Sequence, residues 1–178
     1  MRKPKLKTFF IALFFVVLSS IILAFYLDIK LILIIIFTFT IILSYVIYKE
    51  KIGQELVVAL IIAFAWTSYY YYEYAGKNFF IGKINLFPLV SWTFGLIVLR
   101  EIYERIMVKN KFLIVSLAYI ILLIFVEFVG YYLLNIKLNS NYAGLFGLGV
   151  IHAPWFMKIF YLVIGPLYLL ITDYLEVK

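Results

Sequence analysis

Residues 112–134 read FLIVSLAYIILLIFVEFVGYYLL, and Glu127 is the only charged residue in this run. A helix needs about 20 predominantly apolar residues to cross the hydrocarbon core of a bilayer. The strands of a membrane barrel would alternate polar and apolar residues, and this run does not alternate. Because lipid cannot satisfy a free backbone amide, the run predicts a transmembrane helix.

Apolar runs of this kind fill most of the chain and are separated by short polar segments. The sequence predicts spans at 8–27, 31–48, 55–75, 86–107, 112–134 and 150–175. We therefore expect an all-α membrane protein in which residues 1–178 form one polytopic domain, a bundle of six transmembrane helices. The basic start resembles a secretory signal peptide, but the first apolar run is too long for one and favours a retained signal anchor.

The composition points to lipid as the main solvent of the chain. Apolar residues make up 67% and charged residues 14%, whereas an average soluble domain is about 45–50% apolar. The net charge of +7 does not predict a nucleic-acid partner, because the Lys and Arg residues lie in short segments between apolar runs. The absence of cysteine excludes disulfides, thiolate catalysis, iron–sulfur clusters and zinc sites with Cys ligands.

The basic residues also predict the orientation of the bundle, since cytoplasmic segments carry the excess of Lys and Arg. With a cytoplasmic N-terminus, the inner segments hold Arg2, Lys3, Lys5, Lys7, Lys49, Lys51, Arg100, Arg105, Lys109, Lys111 and Lys178. The outer segments then hold only Lys30, Lys77, Lys83, Lys137 and Lys158. An even number of spans returns the chain to its starting side, so we expect a cell-membrane protein with both termini cytoplasmic.

Ionisable residues inside a span are the first candidates for function, because each costs roughly 2.5–3.5 kcal/mol to insert. Glu127 is the most informative of them, since Phe and Val flank it and Tyr131 follows one turn later on the same face. A carboxylate there is paired, protonated or facing water. Two interpretations stay open: a structural partner of Lys158 or of a tyrosine hydroxyl, or part of a ligand, proton or catalytic site.

The third span ends in a cluster of aromatic residues around Glu73. At helical spacing, Glu73 is in line with Trp66, Tyr69, Tyr70 and Lys77. The run Tyr69 to Tyr72 is typical of an aromatic belt at the level of the lipid head groups. A tyrosine-lined mouth of a ligand site is the alternative.

The fourth span has a charged inner end. Arg100 and Glu104 are four residues apart, as are Glu101 and Arg105, so the members of each pair can neutralise each other. These side chains are predicted to snorkel toward the cytoplasm. The alternative is an inner-leaflet site shared with Asp173.

The sixth span carries one polar stripe with a member every three or four residues: Lys158, Tyr161, Gly165, Tyr168 and Thr172. Such a stripe is expected to face the bundle and not lipid. Gly165 and Pro166 interrupt the backbone hydrogen bonds in mid-span, which predicts either closer packing or a gate. The sequence His152-Ala153-Pro154-Trp155 indicates the start of this helix, with Pro154 in its first turn. His152 is either an interfacial anchor or an acid, base or ligand.

The topology places most of these polar residues at a similar depth in the outer half of the bundle. The leading hypothesis is an outward-facing cavity that holds an amphipathic or isoprenoid-like molecule. Glu127 and His152 are the candidate catalytic residues, as general acid or base of a small lipid-modifying enzyme. The candidate ligand-binding residues are Glu73, Asn85, Trp92, Tyr131, Trp155, Lys158 and Tyr161. Membrane lipids are the expected partners, the cofactor is left open, and no metal site is predicted because the carboxylates and the one histidine lack ligand spacing.

Two other functions remain as alternatives. A proton-coupled small transporter would use Glu127 and Lys158 as its coupling pair and Gly165 with Pro166 as its hinge. A non-catalytic membrane subunit would use its polar residues for helix packing alone. The glycine-containing segment 135–149 is expected to lie in the interface or to re-enter the bilayer where protein buries it.

Overall fold

The computed structural model describes residues 28–140, 142–147 and 149–176. The expected first span, 8–27, lies outside the described residues. Within them, the chain is mostly helical, and five stretches are long and apolar enough to cross a membrane: Ile29–Tyr48, Ile52–Tyr69, Leu86–Arg105, Lys111–Leu133 and Trp155–Leu175. Their apolar character indicates insertion into a bilayer.

The first helix, α1 (Ile29–Tyr69), consists of two spans joined at a kink, where Tyr48 has the non-helical angles φ −122° and ψ 29°. A straight helix of this length would be about 60 Å long. The Lys30 ammonium nevertheless donates to the Ala75 carbonyl at 2.7 Å. The chain therefore reverses direction at the kink, and we call its halves the first arm (Ile29–Tyr48) and the second arm (Ile52–Tyr69) of α1.

Three further helices complete the described bundle: α2 (Leu86–Arg105), α3 (Lys111–Phe128) and α4 (Trp155–Glu176). Asn85 caps the start of α2, because its side-chain oxygen accepts from the Phe87 amide at 3.1 Å. α3 continues directly into a π-helical turn, Val129–Leu133. This turn brings the end of the span close to the predicted residue 134.

Two connecting segments, 70–85 and 134–154, lie at one end of the bundle, which we call the capped end. A short antiparallel hairpin of β1 (Phe80–Ile81) and β2 (Ile84–Asn85) belongs to the first segment. Most of the remaining residues of the two segments have neither helix nor strand structure. Their backbone groups therefore need partners from elsewhere in the chain.

The two connecting segments supply these partners to each other. The Ala75 amide donates to the Lys137 carbonyl, and the Asn139 amide donates to the Glu73 carbonyl, both at 2.8 Å. Irregular backbone is tolerated near a membrane only where protein or water satisfies it. The mutual hydrogen bonds therefore let the segments form a cap over the helix ends.

The predicted third span extends too far. α1 ends at Tyr69 and not at residue 75, because Tyr70 is extended and the chain turns into the cap. The side-chain amide of Asn85 holds this turn by donating to the Tyr72 carbonyl at 3.0 Å. Glu73 therefore does not share a helical face with Trp66. Hydropathy did not reveal the turn, since tyrosines that prolong an apolar run also suit an irregular interfacial segment.

The predicted last span begins too early, because α4 begins at Trp155 and not at residue 150. The helix start that His152-Ala153-Pro154-Trp155 indicates is confirmed. The Leu145 amide donates to the Val150 carbonyl at 2.7 Å, and Ile151 has a φ of 53°, so this stretch belongs to the cap. The Pro154 carbonyl accepts from the Lys158 amide at 3.2 Å. Proline thus lies at the helix start, where its missing N–H costs no hydrogen bond.

The polar stripe of α4 faces the bundle, as predicted. All five members are buried: Lys158, Tyr161, Gly165, Tyr168 and Thr172. A Cβ at Gly165 would lie 2.7 Å from the ring of Tyr119 in α3. The Tyr119 hydroxyl donates to the Tyr161 carbonyl at 2.5 Å. Gly165 therefore permits close packing of α3 on α4.

Candidate functional site

A cavity of about 540 Å³ lies between α2 and α3, within the range of roughly 300–1,000 Å³ that is common for small-molecule sites. α2 supplies one wall, from Phe87 to Ile102. α3 and its π-helical turn supply the other, from Tyr119 onward, and Leu33 of the first arm of α1 borders both. Most lining residues are apolar or aromatic, which suits a hydrocarbon chain.

The cavity is polar at the capped end and apolar farther along. Ser91, Glu127 and His152 line it near the cap. The lining residues of the other half are apolar: Leu96, Val98, Leu99, Ile102, Leu122 and Leu123. From Ser91 to Ile102 the cavity follows α2 for about 16 Å at 1.5 Å per residue. Its shape and chemistry therefore match an elongated amphiphile.

Cap residues close the polar end of the cavity. Tyr74, Leu138 and His152 all line it, and Tyr74 pairs with Leu138 through the backbone. On the flank, the lining residue Val126 of α3 is 62% exposed. Exposed apolar side chains within a span are as compatible with lipid tails as with protein. The cavity thus borders the lipid-facing surface of the bundle.

Glu127 lies one residue before the end of α3, where the helix passes into the π-helical turn. Residues 127, 130, 131 and 134 recur at helical spacing and all line the cavity, so Glu127 and Tyr131 share a face. The Glu127 carboxylate makes no hydrogen bond or ion pair with any described residue. An ionisable group without a partner inside a span is a functional candidate.

His152 stacks on Tyr131, with ring centroids 3.9 Å apart and planes at 16°. The Lys137 ammonium lies 4.7 Å from the centroid of the same tyrosine ring. Partial burial, followed by the positive charges of Lys158 and Lys137, lowers the pKa of His152 from its usual 6.5. Its Nδ1 is buried without a hydrogen-bond partner among the described residues. The imidazole is therefore neutral near pH 7 and available to a ligand.

Three aromatic side chains form a hydrogen-bonded support behind the cavity. The Trp66 indole donates to the Tyr72 hydroxyl at 2.6 Å, and the Tyr72 and Tyr161 hydroxyls lie 3.0 Å apart. Burial raises the pKa of the Tyr72 phenol, which stays protonated at neutral pH. Tyr161 also contacts Trp92, with centroids 5.0 Å apart. These contacts orient Trp92 and Tyr161, which both line the cavity.

The structure brings five of the nine predicted site residues to the cavity wall: Trp92, Glu127, Tyr131, His152 and Tyr161. Their roles stay predictions. Three of the others lie elsewhere: Asn85 is buried in the cap, Trp155 is 64% exposed at the start of α4, and Glu73 is exposed. The Glu73 carboxylate accepts from the Asn139 amide group at 3.2 Å.

The fourth, Lys158, binds the cap and does not pair with Glu127. Its ammonium donates to the Ala143 carbonyl at 2.6 Å and to the Gly144 carbonyl at 3.2 Å. The coupling pair expected for a transporter is therefore not formed in this structure. Every residue has a backbone carbonyl, so no residue type marks the carbonyls that will accept a hydrogen bond. The sequence therefore could not identify these partners of Lys158.

Ser91 is not among the predicted site residues, but its hydroxyl is buried in the cavity wall without a hydrogen-bond partner among the described residues. Small hydroxyl residues in helices often bond to the carbonyl four residues back. Thr93, two residues later, does so with the Leu89 carbonyl at 2.8 Å. The sequence does not show which of these two hydroxyls bonds to the helix backbone. Only the structure distinguishes Ser91 from Thr93.

Arg100 does not snorkel toward the cytoplasm, because it is only 2% exposed. Its guanidinium donates to Glu55 at 3.0 Å, to Glu104 at 3.2 Å and to Asp173 at 2.5 Å. The Tyr103 hydroxyl donates to the second Asp173 oxygen at 2.6 Å. We call these five residues the Arg100 cluster. It joins the second arm of α1, α2 and α4 at the end of the bundle opposite the cap.

The predicted pair of Glu101 and Arg105 forms as well, at 3.1 Å on the surface. The sequence had suggested Asp173 as a partner for this end of α2, but not Glu55, which lies 45 positions before Arg100. Among the described residues, no group of three or more carboxylate or histidine side chains is arranged to hold a metal ion.

Comparison with known proteins identifies no relative. No protein-family model, curated protein or solved structure matches the chain. The function is therefore argued from the geometry and chemistry of the cavity.

Proposed function

We propose that the protein binds an amphipathic, lipid-like ligand in this cavity. The observation that carries the proposal is the carboxylate of Glu127, which has no partner among the described residues in a mostly apolar and aromatic wall. A charged side chain inside a membrane span costs roughly 2.5–3.5 kcal/mol to insert. The head group of a ligand would supply the missing hydrogen bond, and the apolar half of the cavity would hold its chain.

The ligand would reach the cavity from the bilayer and not through an outward-facing mouth. The cap residues Tyr74 and Leu138 stand at the polar end of the cavity. On the flank, Leu122 and Val126 are exposed apolar residues of a candidate span and also line the cavity. A hydrocarbon chain that passes between lipid and this flank would leave no apolar surface in water.

Photoactivatable hexadecyl probes with hydroxyl, amino or phosphate heads test the proposal when they are offered together to the protein in lipid nanodiscs. We expect crosslinks in peptides that contain Trp92 and Glu127. Gly95→Trp fills the cavity, since a Cβ at this lining residue has no atom within 4 Å. Crosslinking should fall about tenfold or more, as expected for a loss of at least 1.4 kcal/mol in binding.

The matched control is Leu170→Trp, which adds the same indole at an exposed residue of α4 away from the cavity. It should crosslink like the wild type. Labelling that is spread evenly over the lipid-facing surface, and that is equal in Gly95→Trp and Leu170→Trp, would refute a binding cavity.

We further propose that the chain crosses the cell membrane six times with both termini in the cytoplasm. The hydropathy of residues 8–27 supports a sixth span. The five described spans alternate between the capped end and the end that holds the Arg100 cluster. The excess of Lys and Arg in alternate segments supports a cytoplasmic location for the Arg100 cluster.

Because the chain has no cysteine, single-cysteine variants test this orientation without background. A membrane-impermeant maleimide should label Lys77→Cys on intact cells. It should label Lys109→Cys only after the cells are lysed. The reverse pattern would mean that the orientation is opposite to the proposed one. Labelling of both variants on intact cells would contradict the single crossing proposed between residues 77 and 109.

A further inference from the structure

The polar end of the cavity offers a distinctive set of groups to a ligand. They are the Glu127 carboxylate, the His152 imidazole and the Ser91 hydroxyl, and none of them has a hydrogen-bond partner among the described residues. The Ser91 hydroxyl and His152 Nδ1 are buried, and Glu127 lies inside a candidate span. A polar group without a partner costs free energy in either environment, so each favours a ligand atom that completes its hydrogen bonding. The head group is therefore expected to make more than one polar contact.

Ser91 differs from four threonines of the described helices. The hydroxyls of Thr40, Thr67, Thr93 and Thr172 each donate to the backbone carbonyl four residues back, at 2.8–3.0 Å. The Ser91 hydroxyl does not make this bond. Because no hydrogen bond holds it, a change of χ1 between staggered rotamers can turn it toward the cavity.

The charges around the cavity argue against an anionic head group. Among the described residues that line the cavity, there is no Lys or Arg. The nearest lysines are engaged elsewhere: the Lys137 ammonium lies over the Tyr131 ring, and Lys158 donates to the Ala143 and Gly144 carbonyls. A phosphate would meet the Glu127 carboxylate without a cation to balance it.

The same lysines argue against a cationic head group. Lys137 and Lys158 are close enough to His152 for their charges to lower its pKa. This positive potential would oppose an ammonium group bound there and offset its attraction to the Glu127 carboxylate, so charges of both signs lie near the polar end. An uncharged head avoids both conflicts, and a hydroxyl can donate one hydrogen bond and accept two.

We infer that the ligand is an amphiphile whose head is an uncharged alcohol, with its hydroxyl between Glu127 and His152 and within reach of Ser91. This inference rests on the proposed binding function. An alcohol would donate to Glu127 and accept from Ser91 or from the neutral imidazole. Its chain would lie along the apolar half of the cavity toward Ile102.

The three hexadecyl probes, offered separately at equal concentration to the wild type, test this inference. We expect the alcohol probe to crosslink in the cavity at least about tenfold more than the amine or phosphate probe, and unlabelled hexadecanol to compete with it. Stronger crosslinking of the amine or the phosphate would overturn the inference while leaving the binding function intact. Failure of all three probes would instead refute the binding function.

Ser91→Ala and Ser116→Ala form a matched pair for the contact itself. Both hydroxyls are buried without a partner among the described residues, but only Ser91 lines the cavity. Loss of one neutral hydrogen bond predicts about two- to tenfold weaker crosslinking of the alcohol probe in Ser91→Ala. Ser116→Ala should match the wild type. An equal reduction in both variants, or none in either, would contradict the role of Ser91.

Discussion

At the scale of the residue, His152 is the group in the cap whose charge responds to pH in the physiological range. Burial and the charges of Lys158 and Lys137 lower its pKa, so the unfolded chain binds a proton more readily than the folded chain. The stability associated with the neutral imidazole is fully present above about pH 6.5, the usual His pKa. It is lost as the pH falls below that value toward the lowered pKa.

We therefore expect the melting temperature of the purified protein to fall as the pH is lowered from 7 to 5, and His152→Gln to reduce this slope. Thermal unfolding in detergent micelles at several pH values measures the effect. Glu127, Lys137 and Lys158 are present in both proteins, so the difference between the two slopes isolates His152. If the melting temperature falls equally with pH in both proteins, protonation of the His152 imidazole does not destabilise the folded state.

At the scale of the element, the packing of α3 on α4 depends on Gly165. A Cβ at this position would lie 2.7 Å from the Tyr119 ring, a distance at which either the ring or one of the two helices must move. Overpacking of this kind typically costs about 1–3 kcal/mol. We expect Gly165→Ala to lower the free energy of unfolding by about this amount, measured by reversible unfolding in mixed micelles.

Gly53→Ala is the matched control, since Gly53 also lies in a helix but its Cβ would be 4.0 Å from the nearest Tyr45 atom. Alanine is the better helix former by about 0.5–1 kcal/mol, so this variant should be as stable as the wild type or slightly more stable. Equal losses in the two variants would mean that backbone flexibility, and not packing against Tyr119, explains the glycine at 165.

At the scale of the whole molecule, the Arg100 cluster holds three separate parts of the chain together. Removing one partner of a buried ion pair typically costs about 3–5 kcal/mol, because a buried charge is left without compensation. We expect Arg100→Met to lower the free energy of unfolding by about this amount, since the guanidinium pairs with Glu55, Glu104 and Asp173 and its loss removes all three ion pairs. Reversible unfolding in mixed micelles measures the loss.

Arg105→Met provides the comparison on the same helix. Arg105 is exposed and pairs with Glu101 on the surface at 3.1 Å, an arrangement worth about 0–1 kcal/mol. Its variant should therefore remain close to the wild type. If Arg100→Met is no less stable than Arg105→Met, the cluster does not hold the bundle together.

The spans near 31–48, 86–107 and 112–134 could be predicted because hydropathy is a sum over neighbouring residues and needs no knowledge of the fold. The inward face of α4 could be predicted for a similar reason, since helical periodicity places Lys158 to Thr172 on one side. The helix start near Trp155 was indicated by His152-Ala153-Pro154-Trp155, because proline favours the first turn of a helix. The end near Tyr69 could not be predicted, since it depends on hydrogen bonds between parts of the cap, such as that of the Asn85 side chain to the Tyr72 carbonyl.

The sequence alone determined that the chain forms helices long and apolar enough to cross a membrane, because the free energy of placing each run in lipid depends mainly on the residues of that run. It also placed Glu127 and Tyr131 on one face of one helix. Only the tertiary structure decided that Arg100 is buried among three carboxylates and that Lys158 binds the cap. The partner of a polar group depends on distances between separate elements, which no local pattern of residues contains.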